Sequence, residues 1–533
     1  APDVAHFHRM LQGKYGTIAD YNRAHRTSFK AFDFIPAMKP GQVIPETASE
    51  GDLLALADWG EFQWRIRRDF YARYKDYLDI DLPHLTNFAG ITPPIQENVP
   101  DAQAEAVKDT PPELVTLYAD WWLAQNRVDM DLDVHEYGMI SWLGVAAYNI
   151  QDASSDPGDL GANEVFNRYI NTARRRRGVN IEENWGFSKL YHPLSKYPMI
   201  PFFQTLASVA GGCTGYVVFT GVCHGYWTDD LDRVTKKQYP TFPADAPIGE
   251  HGETGAMYEA MNLLNDWFAR EGTGFLRAEL DTDVCLLVVS EYAAVSSWIP
   301  SDDELFAGHR VPRAGRDVLE PATMAFNKNG VNYRIAELAA MSVDDLLNMG
   351  TVAIHTAFFM ARADQEKLVE FARRGGRLIC SGEMPTLDER MEPCSILADF
   401  LAAPPPGVLR FDGNLFNDET ALMDAMRRAG FKRGVTCSPG LRAFVYRDKD
   451  DFYLFFFNFD RKGAHDKSVD FYGNHLDLTV GSKTCGIVHV RSGRLVSYVV
   501  KGVNEFEGEV ATVRLKLGEQ EIRFNGDRAE YGL

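Results

Sequence analysis

The chain has 533 residues, too many for one ordinary core, so two to four domains are expected. Hydrophobic residues at 45% and charged residues at 24% are the proportions of a soluble globular protein, not of a disordered or fibrous one. A formal net charge of −20 repels phosphate backbones and anionic lipid, which argues against nucleic acid and membrane as partners.

The N-terminal part alternates helix and strand signals. Phe7 to Tyr21 reads as a helix. Asp52 to Leu78 reads as a long amphipathic helix, with Trp59, Phe62, Ile66, Phe70 and Tyr74 at three- and four-residue spacing. A short strand, His84 to Phe88, stops before Gly90. A helix over Glu113 to Gln125, a strand over Met130 to Tyr137 and a helix over Val165 to Arg176 follow. The run Arg174 to Arg177 suits the cationic C-terminal end of that helix. Val179 to Glu182 is a strand, Phe202 to Ala210 a helix and Tyr216 to Thr220 a strand. Strands about 35 to 50 residues apart fit βα units with inserted loops. Four of them make half of a (β/α)8-type barrel, placed in residues 1–250. Half a barrel leaves an open sheet edge, so a preceding segment of a longer polypeptide, or another chain, is expected to complete it.

From about 255 the pattern changes. Val284 to Val289 is a continuous apolar strand of the parallel-sheet type, Ala353 to His355 is another, and Asp364 to Arg373 is a helix before the strand Leu378 to Cys380. This is a flavodoxin-like, doubly wound α/β pattern, placed at 251–402. The stretch Ala403 to Gly407, with three prolines, reads as a linker. Beyond it, after a helix over Thr420 to Ala429, short strands such as Phe452 to Phe457, Thr484 to Val490 and Glu509 to Leu517 lie between turn residues, a C-terminal β-sandwich at 403–533.

Seven cysteines, an odd number with no close pair, indicate a reducing, cytoplasmic setting and no cysteine-type zinc site. No run reaches the roughly 18 apolar residues of a membrane span, and the first residues lack the pattern of a secretory leader. No cofactor is expected.

The strongest chemical signal is Val179-Asn180-Ile181-Glu182-Glu183-Asn184-Trp185-Gly186. A strand that ends in carboxylates, followed at once by an aromatic and a glycine, suits a carboxylate nucleophile at the mouth of a β/α barrel. Trp185 would offer a face to a sugar ring. A solvated Glu-Glu pair after a short strand fits the same string. A strand alternates faces, so only one of Glu182 and Glu183 can look into a barrel. His135, Glu136 and Tyr137 end the preceding strand and would line the pocket, as would Thr86 and Asn87 on the strand before. His224, Tyr226 and Trp227 follow the last strand, placed either to stack on a ring or to plug the barrel end. A metal held by His135, Glu136 and His224 has no diagnostic spacing. Cys380-Ser381-Gly382-Glu383 suggests a nucleophile after a strand, but no paired His-x-Glu follows, and that domain reads as a scaffold.

With these pieces in order, the chain resembles the β-galactosidase-type glycoside hydrolases of families 35 and 42, closer to family 42 in layout. The segments that carry the resemblance are Lys14-Tyr15-Gly16-Thr17-Ile18 with Asn22, Thr86-Asn87-Phe88-Ala89-Gly90, Ile181 to Gly186, and Ala210 to Phe219. The resemblance implies that the four strands are strands 5 to 8 of the barrel, its C-terminal half, and that the protein is a retaining, exo-acting hydrolase of β-galactosides or related β-glycosides. Other sugars on the same scaffold, β-glucosaminides or β-glucosides, are the alternative, as is a non-catalytic carbohydrate-binding or assembly subunit that needs a partner chain. It favours Glu182 as nucleophile, four residues before Gly186, with Glu183 the rival. It also implies a homo-oligomer, a trimer, with the second domain making subunit contacts. The family's acid/base follows an Asn at the end of the fourth strand, and Asn163-Glu164 and Asn504-Glu505 are not placed for that role. If these residues closed a full barrel alone, the acid would have to be found among Glu61, Glu136 and Glu183.

Overall fold

The computed structural model describes residues 2–38, 47–78, 168–173, 179–185, 197–219, 221–223, 246–296, 308–460, 463–502, 512–525 and 529–532. The strands expected near 85 and 133 therefore lie outside the described residues, as does the Arg174 to Arg177 run. No helix among the described residues is long and apolar enough to cross a membrane.

The helix predicted over 7–21 is two: α1 (Pro2–Tyr15) and α2 (Ile18–His25). Gly16 takes a positive φ of 74° between them, and the Thr17 hydroxyl accepts the Asp20 N–H at 3.2 Å, capping α2. The long helix, α3 (Glu50–Leu78), is present as expected. Phe62, with Trp59 and Ile66 beside it, packs against Phe7, Leu11, Tyr15 and Tyr21. Leu53, Leu54 and Leu56 enter the core of the second domain instead. Gly60 makes that approach possible, since a Cβ there would sit 2.5 Å from the Ala294 Cβ.

A buried charge cluster joins these helices. Asp58, 1% exposed, accepts Lys14 Nζ at 2.7 Å and the Tyr15 hydroxyl at 2.9 Å, and lies 3.0 Å from His25 Nε2. Burial pushes the Asp58 carboxyl up, but Lys14 and His25 outweigh it and hold the group below its ordinary range.

Two strands of the expected barrel are described, β1 (Val179–Asn184) and β2 (Gly215–Phe219), with α4 (Met199–Ala210) between them. They pair in parallel, as a βα unit requires. Next come α5 (Ala256–Phe275) and the short β3 (Glu279–Leu280).

The second domain is a five-stranded parallel sheet in the order β5-β4-β6-β7-β8. Its strands are β4 (Val284–Val288), β5 (Tyr333–Glu337), β6 (Thr351–Thr356), β7 (Arg377–Gly382) and β8 (Val408–Phe411). Helices α6 (Ser290–Ser296), α7 (Glu320–Lys328), α8 (Val343–Asn348), α9 (Arg362–Arg373) and α10 (Ile396–Leu401) lie between them, and α11 (Glu419–Arg428) follows. β4 is buried along its whole length, which its unbroken apolar run demands. The expected boundary at 402 is corrected here. The proline-rich stretch is the loop into β8, whose Val408 pairs with Leu378 of β7, and Leu422, Met423, Ala425 and Met426 of α11 belong to this domain's core. The α/β unit thus runs past 428.

The sandwich begins at β9 (Val435–Cys437) and continues through β10 (Leu441–Asp448), β11 (Asp451–Asn458), β12 (His465–Phe471), β13 (Asn474–Val480), β14 (Cys485–Arg491), β15 (Arg494–Lys501), β16 (Thr512–Leu517), β17 (Gln520–Asn525) and β18 (Ala529–Gly532). One sheet runs β18-β15-β14-β11-β10-β3 and the other β17-β16-β13-β12-β9. Phe452, Leu454 and Phe456 face the second sheet, while Tyr453, Phe455 and Phe457 face α4 and α5. Both faces of β11 are covered, which is why Phe452 to Phe457 is an unbroken aromatic and apolar run rather than an alternating one. Phe203 of α4 meets Phe457 edge-on at 4.9 Å, and the Tyr446 hydroxyl donates to Ala210 O at 3.0 Å. Arg442, fully buried, ties the sandwich to the α/β domain through Asn327, Asn332 and the Val331 carbonyl, each at 2.8 to 2.9 Å.

Candidate active site

The site is built on β1 and the helix that follows it. β1 and β2 are in register at Asn180↔Tyr216 and again at Glu183↔Val218. Three steps on β1 match two on β2, so one extra residue falls at Ile181–Glu182, both opposite Val217. Such bulges re-aim the chain and gather at barrel rims and beside active sites.

The bulge sorts the two glutamates. Glu183 is fully buried, and Ser208 of α4 donates its hydroxyl to Glu183 Oε2 at 3.2 Å. Trp185, two residues on and so on the same face, is also fully buried, with its indole N–H on Thr205 Oγ1 at 3.1 Å. Thr205 and Ser208 are one helical turn apart, so a single polar edge of α4 grips Glu183 of β1 and Trp185 just beyond its end. Tyr216 and Val218 pack on that same side, and the Tyr216 hydroxyl donates to Asn265 of α5 at 2.5 Å. Burial and the nearby Glu183 carboxylate push the Tyr216 phenol well above its ordinary range, so it stays a neutral donor. Val217 lies on the other face and is 50% exposed.

Trp185 is therefore a core residue in this structure. The ring face expected to meet a sugar is closed over by α4, because a large apolar surface whose one polar atom already has a partner gains most from burial. The backbone of Glu182 lies within β1. Asn87, His135, Glu136, Tyr137, His224, Tyr226 and Trp227, with Thr86 and Thr220, lie outside the described residues. So do the ligands of the metal alternative. Among the described residues no three His, Cys, Asp or Glu side chains converge on a metal-sized site.

Glu61 does not suit the role of acid. It lies against Lys14 at 2.7 Å and Arg65 at 2.5 Å, and those cations outweigh burial and hold its carboxyl below the ordinary range, whereas a general acid needs a raised one.

The second domain offers a rival site by topology, since doubly wound sheets bind ligands where the strand order reverses, here between β4 and β6. Tyr292 occupies that place. Its hydroxyl donates to Phe359 O at 2.7 Å and accepts the Ala357 N–H at 3.2 Å. Cys380 is fully buried and burial pushes its thiol up to about 12, so it is no ready thiolate. Ser381 Oγ lies 3.0 Å from His355 Nδ1 and is itself buried.

Sequence reasoning missed Ser208, Thr205 and Tyr216. A signal was present: Gln204, Thr205 and Ser208 are the polar residues in the otherwise apolar, wholly buried Met199–Ala210 helix.

Known proteins share this architecture. A family model described as GLMA-like, second domain, matches residues 309–420, inside the α/β unit. An exo-β-D-glucosaminidase of Pyrococcus horikoshii is 24% identical over 374 residues, 68% of this chain and 42% of that protein. One from Thermococcus kodakarensis is 27% identical over 412 residues, 74% of this chain and 44% of its own length. The chain thus spans less than half the length of these two relatives. Among solved structures, a GH42 β-galactosidase of G. stearothermophilus superposes with a TM-score of 0.63 at 12% identity, covering 91% of this chain and 75% of that one. The β-galactosidase of Bacillus circulans sp. alkalophilus gives 0.61 at 13%, covering 91% and 76%. The chain has the fold of the β-galactosidase-type glycoside hydrolases.

Proposed function

We propose that the chain carries the nucleophile half of a retaining exo-β-glycosidase, with Glu182 as the attacking carboxylate. One observation carries the assignment: the Glu183 and Trp185 side chains are taken up by α4, and the backbone register leaves Ile181 and Glu182 level with Val217, which is half-exposed. The chemistry is attack by the carboxylate oxygen on the anomeric carbon, loss of the leaving group, and hydrolysis of the resulting ester by water. It needs a second carboxylic acid about 5–5.5 Å away. Glu61, its carboxyl held below the ordinary range, does not suit that role.

Terminal β-glucosaminides are the first substrate class we infer. Two relatives matched in sequence over 68% and 74% of this chain are named exo-β-D-glucosaminidases and a third, matched over 72%, a β-1,2-glucosyltransferase, whereas the β-galactosidases are matched in fold at 12 to 13% identity. A net charge of −20 also favours approach of cationic amino sugars. β-Galactosides are the second reading, supported by the fold. The test is hydrolysis of aryl β-glucosaminide and aryl β-galactoside by the native polypeptide that carries this chain. The first should be turned over faster, and Glu182→Gln should cost several orders of magnitude in kcat with KM little changed. Equal activity of Glu182→Gln and the unaltered protein would reject the assignment. We infer further that the protein self-associates as a trimer; a monomer mass by light scattering at micromolar concentration would reject that.

A further inference from the structure

Among the described residues the chain passes between the sandwich and the α/β domain twice. It goes out through 281–283, from β3 to β4, and returns through 429–434, from α11 to β9. One buried carboxylate ties the two passages together. Asp283 Oδ1 accepts the Gly434 N–H at 2.8 Å, and Oδ2 accepts the Asn332 N–H at 2.8 Å, so the outward link, the return link and the lead-in to β5 meet on it. A second carboxylate faces the same glycine. A Cβ on Gly434 would stand 2.4 Å from Asp281 Oδ2 and 2.7 Å from the Tyr472 hydroxyl, so only glycine fits between them. Tyr472, in the turn from β12 to β13, donates its hydroxyl to Asp281. Its φ of 47° is strained for an aromatic residue and persists only where neighbours fix the side chain. Phe452 stacks on the ring at 5.5 Å, and the Arg447 guanidinium lies 4.8 Å from its centre.

We propose that Asp281 and Asp283 form a proton-responsive joint between the α/β domain and the sandwich, held firmly when the pair carries a proton at mildly acidic pH and more loosely when both carboxylates are charged in alkali. The joint is independent of the assignment of Glu182.

The groups around the pair come from every element packed on it. Asp283 faces Asp281 on its own link, Arg442 of β10, Cys437 of β9 and Tyr472, while Asp281 also faces Arg447 of β10 and Arg334 of β5. Arg442 does not pair with Asp283 directly. Its donors go to the neutral oxygens of Asn327, Asn332, Val331 and Ala443, and the two charges meet only through Asn332. Burial pushes the Asp283 carboxyl up and the facing Asp281 adds to it. The two N–H donors and Arg442 oppose them, and the balance stands at about 6. Burial raises Asp281 as well, against its tyrosine and two arginines. Two like charges in one buried place resist ionising together.

The sign follows from linkage. An aspartyl carboxyl in water titrates near 3.9, and any opening that wets Asp283 returns it toward that value. The closed joint therefore binds the proton more tightly than the open one. Its contribution is full below about pH 4 and is lost as pH rises through about 6. Between pH 8 and pH 5 the closing equilibrium should gain about tenfold.

The test is hydrogen exchange read by mass spectrometry on the native polypeptide between pH 5 and pH 8, corrected for the intrinsic pH dependence of amide exchange. Peptides covering 281–284 and 431–436 should be about tenfold better protected at pH 5 than at pH 8. Asp283→Asn keeps an acceptor oxygen but cannot titrate, and it should remove that gain. Asp281→Asn takes away the facing charge and serves if the first variant fails to fold. It should move the midpoint of the gain to lower pH. A carboxylate with a structural role alone would, when replaced, weaken the joint equally at every pH. Equal protection at pH 5 and pH 8 in the unaltered protein, the same pH response in Asp283→Asn, or an unmoved midpoint in Asp281→Asn overturns the proposal.

Discussion

Replacing Lys14 by methionine should loosen the N-terminal helices selectively. Lys14 is the cation that makes the burial of Asp58 tolerable: Asp58 is 1% exposed, and the Lys14 ammonium lies 2.7 Å from it and 2.7 Å from Glu61. Methionine keeps the apolar stem but leaves Asp58 with only Tyr15 and His25. Breaking a buried pair by removing one partner costs about 3–5 kcal/mol. The Lys14 side chain is 25% exposed, so water already screens part of the interaction and the lower end, about 3 kcal/mol, is expected. At about 1.4 kcal/mol per decade, amide protection in α1 and α2 should fall roughly a hundredfold, while β4 and β6 keep theirs. Hydrogen exchange read by mass spectrometry measures both regions in one experiment. The pH dependence has a definite sign. Asp58 and Glu61 are held below their ordinary range, so their contribution is present above about pH 4 and is lost as pH falls through the folded values. The methionine variant should show a shallower acid loss, and adding Asp58→Asn should recover part of the protection at neutral pH. A change of less than about threefold in α1–α2 protection would refute the buried-pair account.

Two further outcomes follow from packing. Gly60→Ala should lower the thermal midpoint, although alanine is the better helix former by about 1 kcal/mol, because its Cβ would lie 2.5 Å from Ala294. Adding Ala294→Gly should restore the midpoint, and a rise in the single variant would show that α3 does not approach α6 this closely. Cys285 and Cys380 are fully buried with thiols pushed up to about 12, so a thiol reagent at pH 8 should leave both unmodified until the protein unfolds. Rapid modification of either one, located by peptide mapping, would contradict their burial.

The parallel sheet and the sandwich were legible because their strands announce themselves locally. Val284 to Val288 is apolar throughout since both its faces are covered, and Phe452 to Phe457, five aromatics and a leucine, is unbroken for the same reason. The break between α1 and α2 was legible too, in a glycine followed by a threonine that caps, yet the hydrophobic pattern on either side invited one helix. Pro404 to Pro406 misled because composition marks a loop without saying what pairs beyond it; β8 joins the sheet through contacts with β7. At the site, the Glu-Glu-Asn-Trp string marked the place but not the roles. The faces that Glu183 and Trp185 take follow a one-residue bulge, and their partners are two hydroxyls of a helix about twenty residues downstream; neither is written in the strand.

The central claim is that β1 presents Glu182 as the nucleophile. The most direct test is peptide mapping by mass spectrometry after trapping the glycosyl-enzyme with a 5-fluoro-β-glycosyl fluoride. The account predicts one covalent sugar per site, on the segment that contains both glutamates, with fragmentation placing it on Glu182. A sugar on Glu183, or on an acid outside this strand, would contradict it.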